Sequence, residues 1–117
     1  MLFSPSEFKV YLGLGATDMR KSIDSLSVLV SEQLNQDVFS GHLFVFCNRR
    51  RTILKILYWD RNGFCLWHKR LEREKFRWPP SEQSVNEISS RELQWLIEGL
   101  DIHQAQAHGN LDYESIY

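Results

Sequence analysis

The sequence predicts an α+β fold in which an antiparallel β-meander of about four to five strands packs against two amphipathic helices. Two segments carry apolar residues at helical spacing, short β-branched and aromatic runs lie between them, and an Asn-Gly pair marks a tight hairpin. Consecutive strands linked by hairpins imply an antiparallel sheet. A chain of 117 residues has room for one core. Residues 1–102 are therefore expected to form a single domain, and residues 103–117 a loosely ordered C-terminal tail.

The N-terminal half predicts a strand, a helix and a second strand. Residues 8–13 (FKVYLG) are rich in β-branched and aromatic residues, which favours a strand. A Gly-Ala-Thr-Asp turn then leads into a helix of four or five turns, with Thr17 or Asp18 as its N-cap. Its apolar stripe consists of Met19, Ile23, Leu26, Val30 and Leu34. Residues 42–48 (HLFVFCN) are a continuous apolar run, which is typical of a strand covered on both faces.

The central segment predicts a hairpin of two longer strands. Residues 52–60 and 64–71 form these strands, and Asn62-Gly63 is the strongest turn signal between them. Residues 76–80 (FRWPP) are expected to add an edge segment that ends at the prolines, which cannot donate to a sheet.

A second helix is predicted after a polar connection. Ser89 and Glu92 have the spacing of a capping box, in which each side chain accepts a hydrogen bond from the other residue's backbone N–H. The apolar residues that follow at helical spacing are Leu93, Leu96, Ile97 and Leu100.

Pairing across the hairpin turn determines which side chains share a face, and the faces are the same whether Asn62-Gly63 or Arg61-Asn62 forms the turn. The expected core face, which would pack on the helices, collects Leu54, Ile56, Tyr58, Cys65, Trp67, Lys69 and Leu71. The opposite face, which mixes cations with apolar and aromatic residues, collects Lys55, Leu57, Trp59, Arg61, Leu66, His68 and Arg70.

Charge is distributed unevenly along the chain. Residues 49–77 hold ten basic and three acidic side chains, although the whole chain has a net charge of −1. A dense basic cluster favours a polyanionic partner. Basic residues on strand edges also discourage aggregation, so this second interpretation stays open.

The candidate nucleic-acid-binding residues combine cations with one tryptophan and one histidine. They are Arg49, Arg50, Arg51, Lys55, Trp59, Arg61, His68, Arg70, Arg73 and Arg77. Cationic side chains neutralise phosphates and release counterions, while an exposed indole can stack on a base. Two alternatives remain: Trp59 can instead pack in the core, and His68 can be a neutral, hydrogen-bonded strand residue.

Membrane and metal sites are weakly supported by the sequence. No apolar run approaches the roughly 18 residues that span a bilayer, and the N-terminus lacks the regions of a signal peptide. A cytoplasmic location with no membrane partner is therefore expected. Cys47 and Cys65 should be reduced there, and together with His42 and His68 they lack the usual spacing of a structural zinc site. No metal and no cofactor are expected.

An enzyme is also not expected. A metal-dependent nuclease needs convergent carboxylates, whereas Asp18 and Asp24 project in different directions from a helix and Asp60 belongs to a hairpin turn. Arg20 is expected to form a salt bridge with Asp18 that fixes the start of the first helix. Neither predicted helix carries enough cations to stand out as a DNA-recognition helix.

Three stretches carry a resemblance to a known family. They are TDMRKSIDSL at 17–26, FSGHLFVFCNRRRTILKILYWDRNGFCLWHKRLEREKFRWP at 39–79 and LQWLIEGLD at 93–101. They closely resemble the TnpB-type accessory proteins that are encoded by the second open reading frame of bacterial insertion sequences of family sixty-six. The resemblance implies a non-catalytic helper role in DNA transposition, beside another small accessory protein and a separate transposase that carries the catalytic residues.

Two hypotheses follow from the residues and this resemblance together. In the first, the chain binds DNA at the element ends or the target through the hairpin face and Arg49–Arg51. In the second, the same surface docks the transposase or the other accessory protein and makes no contact with DNA, because Trp, Tyr and Arg are also common interface anchors. The sequence leaves the oligomeric state open.

Overall fold

The computed structural model describes residues 8–81 and 86–102 of the chain. Within these ranges the elements are β1 (Val10–Gly13), α1 (Ile23–Glu32), β2 (Leu43–Cys47), β3 (Ile53–Asp60), β4 (Gly63–Arg70), β5 (Glu87–Ile88) and α2 (Ser90–Ile97). The α+β class is confirmed. The prediction of a loose tail at residues 103–117 lies outside the described residues. No helix in the described part of the chain is long and apolar enough to cross a membrane.

The strands form one mixed sheet in the order β4-β3-β2-β1-β5. Strands β2, β3 and β4 make the predicted antiparallel meander. Strand β1, however, pairs in parallel with β2, and the short β5 pairs antiparallel with β1 on its other side. The prediction of a purely antiparallel sheet is therefore wrong at β1. Because α1 lies between β1 and β2, the chain crosses back before β2 begins, and such a connection permits parallel pairing.

The hairpin register confirms the predicted division of the two faces. Arg61 and Asn62 form the turn, and the register pairs Asp60 with Gly63 at the end of the strands. Ile56 lies opposite Trp67 on one face, and Leu57 lies opposite Leu66 on the other.

Both faces of the sheet carry a buried apolar cluster. The first face buries Val45 and Ile56 in one cluster with Leu93 and Leu96 of α2. The second face buries a separate cluster, whose members from the sheet and α1 are Tyr11, Phe44, Phe46, Leu57, Leu26 and Val30. The two helices therefore lie on opposite faces of the sheet. This arrangement differs from the expectation that both helices would pack on the first face and leave the second free.

Helix α1 begins later than predicted, at Ile23 with Ser22 as its N-cap. Neither of the predicted N-cap residues, Thr17 and Asp18, caps the helix. Thr17 is buried, and its backbone N–H donates to the Cys47 carbonyl at 2.9 Å. Asp18 instead accepts hydrogen bonds from the backbone and side chain of Arg20. The chain therefore keeps an ordered loop before α1, and the helix spans only ten residues.

The predicted edge segment at residues 76–80 is not a strand. Phe76 and Trp78 are buried in the first cluster, and the Trp78 indole Nε1–H donates to the Gly15 carbonyl at 3.1 Å. The aromatic side chains therefore anchor this segment to the core without strand pairing.

The capping box at the start of α2 is confirmed. The Glu92 backbone N–H donates to Ser89 Oγ at 3.1 Å, and the Ser89 N–H donates to Glu92 Oε1 at 2.9 Å. At the other end of α2, the Lys69 ammonium donates to the Ile97 carbonyl at 2.9 Å. A lysine on the core face is thereby paired with one of the free carbonyls at a helix C-terminus.

Gly13, at the end of β1, leaves no space for a side chain. A Cβ atom built there would lie 2.6 Å from Cδ1 of Phe46, which is fully buried. A Cβ at Gly63 in β4 would meet nothing within 4 Å.

We predict that Gly13→Ala lowers the free energy of unfolding by about 1–3 kcal/mol, because a crowded core residue forces neighbours to shift. Gly63→Ala is the matched control and should change stability by less than about 0.5 kcal/mol, as is usual for uncrowded surface positions. Urea denaturation of the unsubstituted protein and the two variants measures the change in the free energy of unfolding for each substitution. Equal stability of the two variants would contradict the close approach of Gly13 and Phe46.

Candidate nucleic-acid interface

The turn between β2 and β3 presents three consecutive arginines to solvent. The Asn48 side chain organises this turn, because its Oδ1 accepts hydrogen bonds from the backbone N–H groups of Thr52, at 2.9 Å, and Ile53, at 3.0 Å. Arg51 closes the turn in the left-handed region, with φ of 61°. The side chains of Arg49, Arg50 and Arg51 are all exposed.

The segment after β4 brings more cations to the same end of the sheet. The Phe76 backbone N–H donates to the Arg51 carbonyl at 2.7 Å, which joins this segment to the turn. Because Phe76 and Trp78 are buried, the intervening Arg77 is directed outward, and Lys75 is exposed as well. We call the resulting group of exposed side chains the basic end; its members are Arg49, Arg50, Arg51, Arg73, Lys75 and Arg77. Within the described residues, none of the six forms an ion pair.

Five of the predicted binding residues are not part of the basic end, and three of them lie along β3 and the hairpin turn. Arg61 lies at the other end of the hairpin, since the seven steps from Ile53 to Asp60 span roughly 23 Å. Lys55 lies between the two ends, and its half-buried ammonium donates to the Met19 carbonyl at 2.7 Å. Trp59 is half-buried near Arg61.

The Trp59 indole belongs to an aromatic cluster at the far end of the hairpin. Its ring centroid lies 5.0 Å from that of Phe64 and 5.1 Å from that of Phe39, in edge-to-face contacts. Phe39 itself is 58% exposed. We call Phe39, Trp59 and Phe64 the aromatic end. Trp59 is thus partly covered by these rings, but it belongs to neither of the two buried clusters of the sheet.

His68 and Arg70 lie on β4, on the same face as Lys55. His68 is exposed and pairs with Lys55 across the strands. The Arg70 guanidinium forms an exposed ion pair with Glu72, with Nη2 and Oε1 3.0 Å apart. Part of the charge of Arg70 is therefore already compensated. The ten predicted residues thus do not form one continuous surface, and only Arg49, Arg50, Arg51, Arg73 and Arg77 belong to the basic end.

The prediction did not include Lys75 or Trp78 among the site residues. The alternation of cations and aromatic residues from Lys75 to Trp78 carried a signal for both, because alternate residues of an extended segment point to opposite sides and here the cations are exposed and the aromatic residues buried. The hydrogen bonds that join this segment to Gly15 and Arg51 are long-range, and no local pattern indicates them.

The candidate catalytic carboxylates do not converge. Asp18 is engaged by Arg20 in the predicted salt bridge, with Nη2 and Oδ2 2.7 Å apart. Asp24 lies in the first turn of α1, and Asp60 lies at the turn that ends β3. Hydrogen bonds from the Arg20 side chain hold the pKa of the Asp18 carboxyl well below its usual range.

The four candidate zinc ligands are dispersed as well. Cys65 and His68 are on opposite faces of β4, because they pair with Tyr58 and Lys55 respectively. His42 Nδ1 accepts a hydrogen bond from the Lys9 backbone N–H at 2.9 Å. Burial raises the pKa of the Cys47 thiol to about 12. Among the residues that the structure describes, no three His, Cys, Asp or Glu side chains are placed to hold a metal ion.

Comparison with known proteins identifies the family. The family model described as IS66 Orf2 like protein matches residues 8–107, which include every described element and the whole basic end. The chain belongs to the IS66 Orf2 like family. No solved structure matches it.

Two relatives from Sinorhizobium fredii agree with this membership. The uncharacterized protein y4hO is 39% identical over 106 residues, which cover 91% of this chain and 92% of the relative. The uncharacterized protein y4jC is 33% identical over 101 residues, which cover 86% of each chain. The similarity to these two relatives therefore extends over most of this IS66 Orf2 like chain.

The Asp18–Arg20 pair gives a pH-dependent prediction. A lowered pKa means that the carboxylate and its ion pair persist on acidification, and that they are lost only as the pH falls through the folded-state pKa. We expect Arg20→Ala to raise the pKa of Asp18 toward the usual aspartate range, as measured by carboxyl ¹³C NMR titration. Arg91→Ala, which removes an exposed arginine from α2, is the control and should leave the Asp18 titration unchanged.

Proposed function

We propose that this chain is a non-catalytic accessory protein that binds DNA through the basic end during transposition. Membership in the IS66 Orf2 like family implies an accessory role in the transposition of an insertion sequence. The proposal adds the direct contact with DNA, either at the element ends or at the target. The transposase and the other accessory protein of the same element are the protein partners that this role implies.

One observation carries the proposal: six exposed cations gather at one end of a chain whose net charge is −1. Although Glu72 and Glu74 are interleaved with Arg73 and Lys75, the cations outnumber them, and such an excess attracts phosphate groups, whose neutralisation releases counterions. Arginine predominates among the six, and its guanidinium forms bidentate hydrogen bonds with phosphate. Because Asn48 holds the arginine turn in place, little ordering is needed on binding.

The expected contacts are with the sugar-phosphate backbone more than with base edges. Helix α1 (IDSLSVLVSE) contains no lysine or arginine, and α2 (SRELQWLI) contains only Arg91. Both helices also contribute side chains to the buried clusters on the sheet. Neither is therefore a good candidate to lie in a major groove, where base sequence is read directly.

The aromatic end favours a second candidate function, as a protein–protein adaptor. Phe39 is 58% exposed and contacts Trp59, so an apolar surface is presented to solvent far from the basic end. Exposed aromatic side chains are typical anchors of protein interfaces. The transposase or the other accessory protein would dock there without any contribution from DNA.

Salt dependence separates these two functions. If about five of the cations contact phosphates, the plot of log K against log salt concentration for a duplex should have a slope of roughly −4 to −5. Fluorescence anisotropy on a labelled element-end duplex and a scrambled duplex measures this slope and any sequence preference. Absence of binding at low salt would reject direct DNA binding and favour the adaptor function.

Matched arginine variants locate the interface. We expect Arg50→Ala to weaken duplex binding, to make the salt slope about one unit less steep and to leave the melting temperature nearly unchanged. Arg61→Ala removes the same charge from an exposed turn at the other end of the hairpin and should have little effect on affinity. Equal losses in the two variants would show that binding is not confined to the basic end.

A further inference from the structure

A small cleft opens beside the basic end, where β1 and β2 both finish. These strands are parallel, so the loop after β1 and the turn after β2 meet at the same edge of the sheet. The cleft has a volume of about 230 Å³ and lies between Ala16, Arg49, Arg51 and the segment 78–81.

The lining of the cleft combines positive charge with an apolar wall. Arg49 and Arg51 provide two guanidinium groups, and no acidic side chain of the described residues lines the cleft. Trp78, Pro79 and Pro80 also line the cleft; Pro80 is exposed, whereas Trp78 and Pro79 are buried and present only a small part of their surface. A ligand that satisfies both kinds of lining carries a negative charge next to a flat or ring-shaped apolar group.

Long-range hydrogen bonds hold the walls of the cleft in place. The Trp78 indole is bonded to the Gly15 carbonyl at 3.1 Å, and the Thr17 backbone N–H is bonded to the Cys47 carbonyl at 2.9 Å. The Phe76 N–H is bonded to the Arg51 carbonyl at 2.7 Å. The three segments around the cleft are thus joined to one another, and a ligand would meet a preformed site.

We propose that this cleft takes one unpaired nucleotide of single-stranded DNA, with its phosphate between Arg49 and Arg51 and its sugar and base against the exposed Pro80 and the small accessible part of Trp78. The inference rests on the proposed function and specifies the form of DNA that this end prefers. A duplex keeps its bases stacked inside, and extruding one costs a few kcal/mol, whereas a single strand presents its bases freely. With a volume of about 230 Å³, the cleft has room for at most one nucleotide unit.

The test compares three labelled DNAs of equal length by fluorescence anisotropy: a single strand, a blunt duplex, and a duplex with a single-stranded overhang. We expect the single strand and the overhang to bind about fivefold more tightly than the blunt duplex, which is the low end of what base stacking contributes, because Trp78 is largely buried. Thymidine monophosphate at millimolar concentration should displace the single strand, and thymidine should not.

A cleft-filling variant tests the location without changing any charge. Ala16 is exposed and lines the cleft, so Ala16→Trp should fill the space and remove the preference for the single strand while duplex binding changes less than twofold. Ser31→Trp places the same side chain on an exposed position of α1 and should have no effect. Thermal melting checks the fold of both variants, and Ala16→Leu is a smaller substitution that serves the same purpose if Ala16→Trp does not fold.

The possible failures can be told apart. If the duplex binds with the expected salt slope but the single strand has no advantage, the cleft is not a nucleotide site and only this inference is overturned. The same conclusion follows if the single strand is preferred and Ala16→Trp does not alter that preference. If a phosphoserine peptide displaces the single strand as well as thymidine monophosphate does, the cleft recognises phosphate alone and the inference is again wrong. If no form of DNA binds at low salt, the proposed function fails as well.

Discussion

All five side chains of β2, from Leu43 to Cys47, are completely buried, and the rest of the structure depends on this constraint. A strand that is apolar on both sides requires a cover on each face of the sheet. Helix α1 contributes Leu26 and Val30 to one face, while α2 and the aromatic residues Phe76 and Trp78 contribute to the other. Polar groups are consequently displaced to the strand ends and to the outer strand β4.

The two ends of the hairpin differ in their chemistry for this reason. At one end, the turn after β2 and the segment after β4 meet, and both carry cations that have no room in the interior. At the other end, the rings of Trp59 and Phe64 are in contact with each other and with Phe39, which is 58% exposed. One molecule therefore presents an electrostatic surface and an apolar surface in opposite directions. Such an arrangement would allow an accessory subunit to contact DNA and protein at the same time.

The features that the sequence predicted well are those that depend on neighbouring residues. The capping box of Ser89 and Glu92, the faces of the hairpin and the doubly covered strand β2 each follow from spacing within a short segment. The arginines of the turn after β2 were likewise visible, because three adjacent cations after a strand must lie at its end.

The features that the sequence did not predict depend on contacts between distant segments. Parallel pairing of β1 with β2 and the two-residue strand β5 arise from sheet pairing that leaves no periodic signal. Thr17, a predicted cap of α1, instead bonds its backbone N–H to the carbonyl of Cys47, thirty positions away in the chain, and Ser22 caps the helix. Similarly, the strand register places Lys55 on the predicted binding face, but its ammonium group donates a hydrogen bond to the Met19 carbonyl. The division of the predicted site into a basic end and scattered residues follows from these contacts.

The close approach of Gly13 to Phe46 also bears on how such a chain can diverge. Hydrogen is the only side chain that fits at position 13 while a phenyl ring fills the space beside it, and that ring is enclosed on all sides. A larger residue at position 13 requires a smaller one at position 46, and neither exchange is favourable alone, because the second by itself leaves a cavity. The two codons are therefore expected to change together or not at all during the spread of the element, although they are separated by thirty-two others.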